Sequence, residues 1–514
     1  MREADSSLAR ASEYSKYSFH TLHILFAVLF AAVYRQQLLY SGNQHTKFLH
    51  AAAQADIGYL KGDWTAQTVD PLPAFTMLAR FFYEVCPLGA FYVLFAILAG
   101  IFAYSAVGIA GVLHRHRTSE PVSTELALVF GVLILLFSML SASAMRGVAG
   151  QYAMTENLQP SIFGVFIFLG LYLWLRHRRV WAAVGLAIAA MFHPGAYLLT
   201  SIILLIALLI SSRRQLTLVS AGLPVGIFLA LVGPLMAYQA ASLAPTTPEV
   251  FAKAAQILAN ERIPRHTDVA RWFDLGAGAR FACMAFACWL VRRQPQMFWS
   301  LTALTVFGFV SSVGLLIWPN AGARFSTPWR VSAVAMPMAT IILSYYASAA
   351  LADAARTIPK ASMHLKRAAA LAFCMLSAFL FYRAVIHYVR PHTTRDALVT
   401  KYAKESAAEG QQYLVPPGMF AFRMASGLPT FVTYKTHPYK DVEVLAWWER
   451  INTAELIYRL ATNASDAGKA RELLDQHGIT HVVVPANLSF PVQSFAKVHE
   501  DANFKIYARD GKAA

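Results

Sequence analysis

The sequence predicts an all-α polytopic membrane protein of about eleven transmembrane helices, followed by a C-terminal extracytoplasmic α/β domain. Three observations predict it. Of the 514 residues 57% are apolar and only 14% charged, with a mean hydropathy of +0.45; soluble chains carry about 25% charged residues. The stretch 87–113 has no charge in 27 residues, and 294–323 has none in 30. Finally, the basic residues gather on short connections between apolar runs.

A transmembrane helix needs about 20 mostly apolar residues. Runs of this kind lie near 20–40, 88–113, 122–144, 160–175, 180–192, 194–211, 216–241, 277–291, 296–318, 331–352 and 367–389. The first follows a polar head without a small-residue cleavage site, so it reads as a retained helix and not a signal peptide. The pair 180–192 and 194–211 is separated by His193-Pro194-Gly195. It is either one kinked helix or a hairpin of short helices. Arg176, Arg178 and Arg179 precede the pair and Arg213 and Arg214 follow it. A hairpin puts both clusters on one side, as the positive-inside rule favours.

With the hairpin, the N-terminus is expected in the cytoplasm and the C-terminus outside. The segments then assigned to the cytoplasm hold 16 Lys/Arg and five Asp/Glu. The outer loops 41–88, 145–160, 242–279 and 319–330 hold ten and nine, and the tail 390–514 holds 15 and 13. The net charge of +16 is therefore a topology signal, and no nucleic-acid partner is expected. Cys86, Cys283, Cys288 and Cys374 lie in or beside apolar runs, with neither disulfide-framework nor metal-ligand spacing. The layout is a transmembrane domain over 1–389 and an outer domain over 390–514. In the tail, β-branched runs at 413–416, 430–434 and 481–485 read as strands. Segments 394–408, 442–461 and 466–477 read as helices, and 495–508 as a hairpin. Gly478 is placed to cap a helix C-terminus.

Long loops are where chemistry usually resides, and here they lie on the outer face. The first begins GNQHTKFLH (42–50) and continues GDWTAQTVDP (62–71). Residues 44–55 fit an interfacial helix with Phe48, Leu49, Ala52 and Ala55 on one face. Asp56, Asp63 and Asp70 follow; each suits a general base or a cation ligand, or equally a turn or cap. Glu156 is the one acid of the second loop, where it serves function or simply a helix dipole. His193 at the hairpin tip has structural uses of its own. In the third loop Arg262, Arg265 and His266 suit a phosphate by bidentate or charge-assisted bonding, or form a solvated basic loop; Arg324 and Arg330 form a second such group. No span holds an acid at mid-depth, which speaks against an ion-coupled transporter.

This layout resembles the GT-C membrane glycosyltransferases, which include the protein O-mannosyltransferases, the aminoarabinose transferases and the oligosaccharyltransferase catalytic subunits. It is closest to bacterial members with a GNQ start and a DW…DP continuation of the first loop. The resemblance covers essentially the whole chain. It implies a site on the outer face of the bacterial cytoplasmic membrane. There a sugar would pass from a polyprenyl-phosphate donor to a glycan, lipid or protein acceptor, with inversion. It implies Asp63, Asp70 and Glu156 as catalytic residues. Asn43, Gln44, His193, Arg262, Arg265, His266 and Arg324 would contact substrate. A divalent cation (Mg or Mn) is an optional cofactor, with Asp63 and Asp70 as its ligands if it is used. Many relatives carry an acidic pair where this chain has Asn43-Gln44; amides cannot act as bases, so the role falls to Asp63 or Asp70, with Asp56 third. Two other classes stay open: a flippase or transporter of a lipid-linked saccharide, and a non-catalytic membrane scaffold with an outer binding domain.

Overall fold

The computed structural model describes residues 23–140, 142–390 and 394–511; the cytoplasmic head expected over 1–20 and the start of the first run lie outside them. The chain is mostly helical and divides into two compact units. One comprises Met1–Gln36, Phe91–Pro234 and Arg265–Val389, and the other Gln37–Ala90, Leu235–Pro264 and Arg390–Ala514. The first holds the apolar helices and is called the membrane unit. The second is called the polar unit.

Six helices among the described residues are long and apolar enough to cross a membrane, including Ala90–Arg117, Leu218–Ser242 and Pro295–Ile317. The chain is thus a polytopic helical membrane protein. The other apolar runs also form helices, but shorter ones: His23–Val33, Thr124–Met139, Pro160–Leu175, Arg179–Phe192 and Leu275–Leu290. Ser332–Arg356 runs through the core, with Ala333 to Ile342 and Tyr345 buried. Ala361–Val389 leaves Leu371, Met375 and Phe379 exposed. So much uncovered aliphatic surface on a helix calls for lipid as its solvent.

The segment 176–215 is a hairpin. His193 is extended (φ −144°, ψ 72°) between Arg179–Phe192 and Pro194–Ser212, and Pro194 opens the second helix, where its missing N–H costs nothing. The Ser201 hydroxyl donates to the Leu186 carbonyl at 3.0 Å. Fifteen residues of continuous helix would hold those atoms about 22 Å apart. Helix Val165–Leu175 packs on the same hairpin through glycines. A Cβ on Gly185 would lie 2.9 Å from the Phe166 carbonyl oxygen, so the two backbones meet with no side chain between them.

The polar unit draws on three separated stretches. From the tail come helices Ala397–Glu405, Asp441–Ala461 and Ala467–Gln476 and strands β1 (Tyr413–Leu414), β2 (His481–Pro485), β3 (Phe495–Glu500) and β4 (Phe504–Arg509). The sheet order is β1-β2-β4-β3, with β1 parallel to β2 and the other pairs antiparallel. Gly478 (φ +63°) follows the last helix. The run 430–434 is not a strand. It meets β1 at one bridge, Tyr413 with Thr430, and the Thr430 N–H is taken by a carboxylate of the first loop.

That first loop is packed protein. Residues 44–55 break into Gln44–Lys47 and Leu49–Gln54, and Phe48, Leu49 and Ala52 are buried inside the unit instead of lying on a lipid surface. Tyr59 N–H donates to Gly427 O at 2.8 Å. Gly58 (φ +57°) lies so close that a Cβ there would sit 2.5 Å from the same oxygen. Gly58→Ala combines a left-handed backbone with a backbone clash, and it is expected to destabilise the polar unit by more than ~1 kcal/mol. Faster limited proteolysis of the first loop and tail, with the apolar helices unchanged, checks this.

Candidate functional site

The first loop carries its acids into three different environments. Asp56 sits in a left-handed turn (φ 52°) and pairs in solvent with Lys61 at 3.4 Å. Asp63 is fully buried. Its Oδ1 accepts from the Thr65 and Ala66 N–H groups at 2.9 and 3.3 Å. Its Oδ2 accepts from the Thr430 N–H at 2.9 Å and forms an ion pair with Arg423, whose Nε lies 2.7 Å away. Arg423 is 1% exposed and also donates to the hydroxyls of Thr430 and Thr65. Burial pulls its guanidinium down, and the Asp63 carboxylate opposes that. Each carboxylate oxygen of Asp63 therefore already holds two partners. The geometry assigns it to joining the loop and the tail, and leaves it no lone pair suited to a substrate proton or an ion.

Asp70 is placed differently. Its Oδ1 accepts from the Leu72 N–H at 2.9 Å across Pro71, fixing the turn into helix Pro73–Val85. It lines a narrow cleft with Lys47, His50, Thr436, His437 and Tyr439. The rim is tied down on two sides. Glu443 accepts the Val69 N–H on both oxygens at 3.0 and 3.2 Å, and burial holds its carboxyl above the usual range. The Tyr238 hydroxyl and the Gln239 amide donate to the carbonyls of Asp70 and Pro71, each at 3.0 Å.

Both histidines of the cleft are neutral. His50 Nδ1 lies 3.1 Å from the Ala66 carbonyl and His437 Nδ1 2.9 Å from that of Pro438. A carbonyl only accepts, so Nδ1 carries the hydrogen in both rings and Nε2 is left as an acceptor. Burial pushes His50 below its ordinary value, against the pull of Asp70. Burial, then the charges of Arg262 and Lys47, push His437 down to about 3.

A group of cations stands beside the cleft. Lys47 Nζ donates to the Tyr439 hydroxyl at 3.2 Å. Arg262 Nη2 donates to the Lys435 carbonyl at 2.7 Å, while its Nε is buried without a partner. Lys435 Nζ lies 4.9 Å over the Phe420 ring. Burial lowers both Arg262 and Lys435, and for Lys435 the charge of Arg262 adds to it. His45, also 4% exposed, is pushed down to about 4 by burial and then by Lys435, and its Nδ1 has no partner. Among the described residues none of Lys47, Arg262 and Lys435 forms an ion pair, and the charge of Arg262 disfavours that of Lys435. A phosphate is the ligand such a group suits.

The remaining sequence-predicted residues lie elsewhere. Gln44 is buried and Asn43 exposed in the polar unit. Glu156, His193, Arg265, His266 and Arg324 belong to the membrane unit. There Glu156 and Arg146 are within electrostatic reach of Tyr34. His193 stacks edge-on to Tyr197 at 5.7 Å. His266 Nδ1 lies 2.9 Å from the Ala149 carbonyl and 3.1 Å from the Gln151 amide, closing the second loop. Arg324 pairs with Asp268 at 3.1 Å and donates to the Thr267 carbonyl, so its charge is already answered. Arg265 is exposed. A divalent cation does not fit the residues suggested for it. Asp63 is saturated by N–H donors, and among the described residues no three His, Cys, Asp or Glu side chains come together to hold an ion.

Residues 396–454 match a family model described as a domain of unknown function, DUF6798. That stretch contains Arg423, Thr430, Lys435, His437 and Glu443, the tail's contribution to the geometry above. No curated protein matches the chain.

Two outcomes follow. Arg423→Met leaves the Asp63 charge buried and uncompensated, a loss of ~3–5 kcal/mol; Asp63→Leu/Arg423→Met together are expected to recover part of it, as read by thermal unfolding. His45, His50 and His437 all have folded values below their unfolded 6.5. The unfolded chain therefore binds more protons below that pH. Their stabilising contribution is complete above pH 6.5 and is lost as the pH falls, by up to about 1.4 kcal/mol per pH unit for each ring. Melting at pH 7.5 and 5.0 measures this, and His437→Gln should flatten the dependence.

Proposed function

We propose that the chain is a membrane glycosyltransferase of GT-C layout. It moves a sugar from a polyprenyl-phosphate-linked donor to an acceptor hydroxyl or amide on the extracytoplasmic face, with inversion. The observation that carries this is the cleft of the polar unit. It sets a carboxylate with one oxygen uncommitted, Asp70, beside a group of cations that no acid neutralises, Lys47, Arg262 and Lys435. Transfer from a phosphate needs those two things: a base for the acceptor and positive charge for the departing phosphate.

In this reading Asp70 takes the acceptor's proton as the acceptor oxygen or nitrogen attacks the anomeric carbon. The bond from that carbon to the phosphate oxygen breaks, and its electron pair leaves with the phosphate. Arg262 and Lys435, with Lys47, stabilise the charge that builds there. His437, its charged form disfavoured by burial and then by Arg262 and Lys47, lends an acceptor nitrogen to a sugar hydroxyl. No step uses a metal. All eleven apolar runs would cross the inner membrane of a bacterium, with the N-terminus in the cytoplasm and the polar unit outside. A chain so largely apolar is suited to drawing its donor from the lipid phase.

Asp70→Asn keeps the oxygen that caps Leu72 while removing the base, so the fold should survive. Product formation from a polyprenyl-linked donor, at matched protein levels, is expected to fall by ~10²–10⁴-fold. Full activity in that variant would refute the assignment of the base. Lys435→Gln is expected to raise the donor concentration needed for half-maximal rate.

A further inference from the structure

Helix Asp441–Ala461 has two faces. Val444, Trp447, Ile451, Ala454, Ile457 and Ala461 are buried in the polar unit. The opposite residues recur at the same helical spacing, and with helix Pro248–Ile257 they line an open groove of about 520 Å³. That size lies within the range of small-molecule sites.

The chemistry of this face is specific. Trp448 presents a partly exposed indole. Along the groove with it stand Glu449, Asn452, Thr453 and, about three turns further on, Arg459 from its own helix, and Lys253 from the other. They supply a carboxylate, an amide, a hydroxyl, a guanidinium and an ammonium, so donors and acceptors are both present and several are bidentate. Among the described residues Lys253, Glu449 and Arg459 form no ion pair with one another or with any other residue. Ile257 and Leu456 give the groove an aliphatic floor. A partner helix would need a continuous apolar stripe, which five polar side chains interrupt. A lone phosphate would have no use for an indole.

We propose that this groove binds a saccharide, one pyranose ring lying on the Trp448 face with its hydroxyls paired with Asn452 and Glu449, and Arg459, about three helical turns further on, left for a following sugar. A pyranose is apolar on the face of its C–H bonds and ringed by hydroxyls that each donate and accept. An aromatic plate inside a rim of planar polar groups matches both properties. The two basic groups against one acid favour a sugar bearing a carboxylate over a neutral one. The inference extends the transferase reading by naming the acceptor as a glycan, and it is tested without donor so that the two can fail separately.

The full chain in detergent micelles is probed by saturation-transfer NMR against neutral, N-acetylated and uronic-acid-containing oligosaccharides, with a mixed peptide pool as the competing class. Saturation should reach the ring C–H protons of a bound sugar. Affinity should fall at least tenfold in Trp448→Ala and in Asn452→Ala, partly return in Trp448→Phe, and stay unchanged in Trp181→Ala, an exposed tryptophan of the membrane unit. Product formation by Asp70→Asn is scored separately, and its binding in this assay should equal that of the parent chain. The proposal is overturned by no transfer to any sugar, by transfer that Trp448→Ala leaves intact, or by saturable binding of peptide alone.

Discussion

The polar unit depends on the buried pair of Asp63 and Arg423. Two charges removed from water are held in place only when their remaining hydrogen-bonding capacity is met. Here it is met by backbone N–H groups of Thr65, Ala66 and Thr430 and by the hydroxyls of Thr65 and Thr430. The pair therefore fixes more than a distance. It sets the turn after Trp64, whose ring lies 4.4 Å under Arg450, and so the course of the chain to Asp70. A neutral pair of the same shape would pack there with less cost, but it would not orient three backbone N–H donors at once.

Against that rigid frame, the cations of the neighbouring cleft are a deliberate imbalance. Arg262 and Lys435 are drawn together by a backbone carbonyl, not by an acid, and beside burial, the larger cause, Lys435 lowers His45 and Arg262 lowers His437. Such an arrangement costs stability wherever it has no ligand. Natural chains keep local inconsistencies of this kind at functional sites and compensate for them in the surrounding structure. Here the Asp63–Arg423 pair and the ties of Glu443 and Asp441 do so. Asp441 shows the same logic in miniature. Burial pushes its carboxyl up, but hydrogen bonds from the Thr246 N–H and hydroxyl and the Val442 N–H outweigh it, and the net direction is down.

Much of the fold is legible in the sequence because apolar runs report themselves locally. The hairpin at His193-Pro194-Gly195 is readable from the proline and the flanking arginines. The tail helices and the final β-hairpin are readable from periodicity. What is not legible comes from residues hundreds of positions apart. TFVTY at 430–434 has the composition of a strand, yet it meets β1 at a single bridge, through the Pro429 carbonyl and the Phe431 N–H, while the Thr430 N–H on the other edge goes to Asp63. Phe48 looks suited to a lipid surface, yet it is buried against Tyr40, Phe75 and Tyr83 of the same stretch, which only the turns of the first loop bring to it. The same limit applies to the site. Asp70 and Arg262 stand out by type and position. Lys47, His50, Lys435 and His437 have no motif, and only their juxtaposition gives them meaning. Asp63 stands out for its charge, but its neighbours give that charge another use.

The separation of Asp63 from Thr430 by 367 residues also has a temporal side. Chains emerge from the ribosome at ≈ 5–20 residues per second, so on the order of half a minute passes between synthesis of the carboxylate and of the groups that neutralise it. Throughout that interval the first loop is a solvated, half-made surface, and every apolar run between has time to insert. The polar unit is then closed by the last-made of its three stretches. A nascent chain halted before Arg423 leaves the Asp63 carboxylate without the guanidinium that answers it.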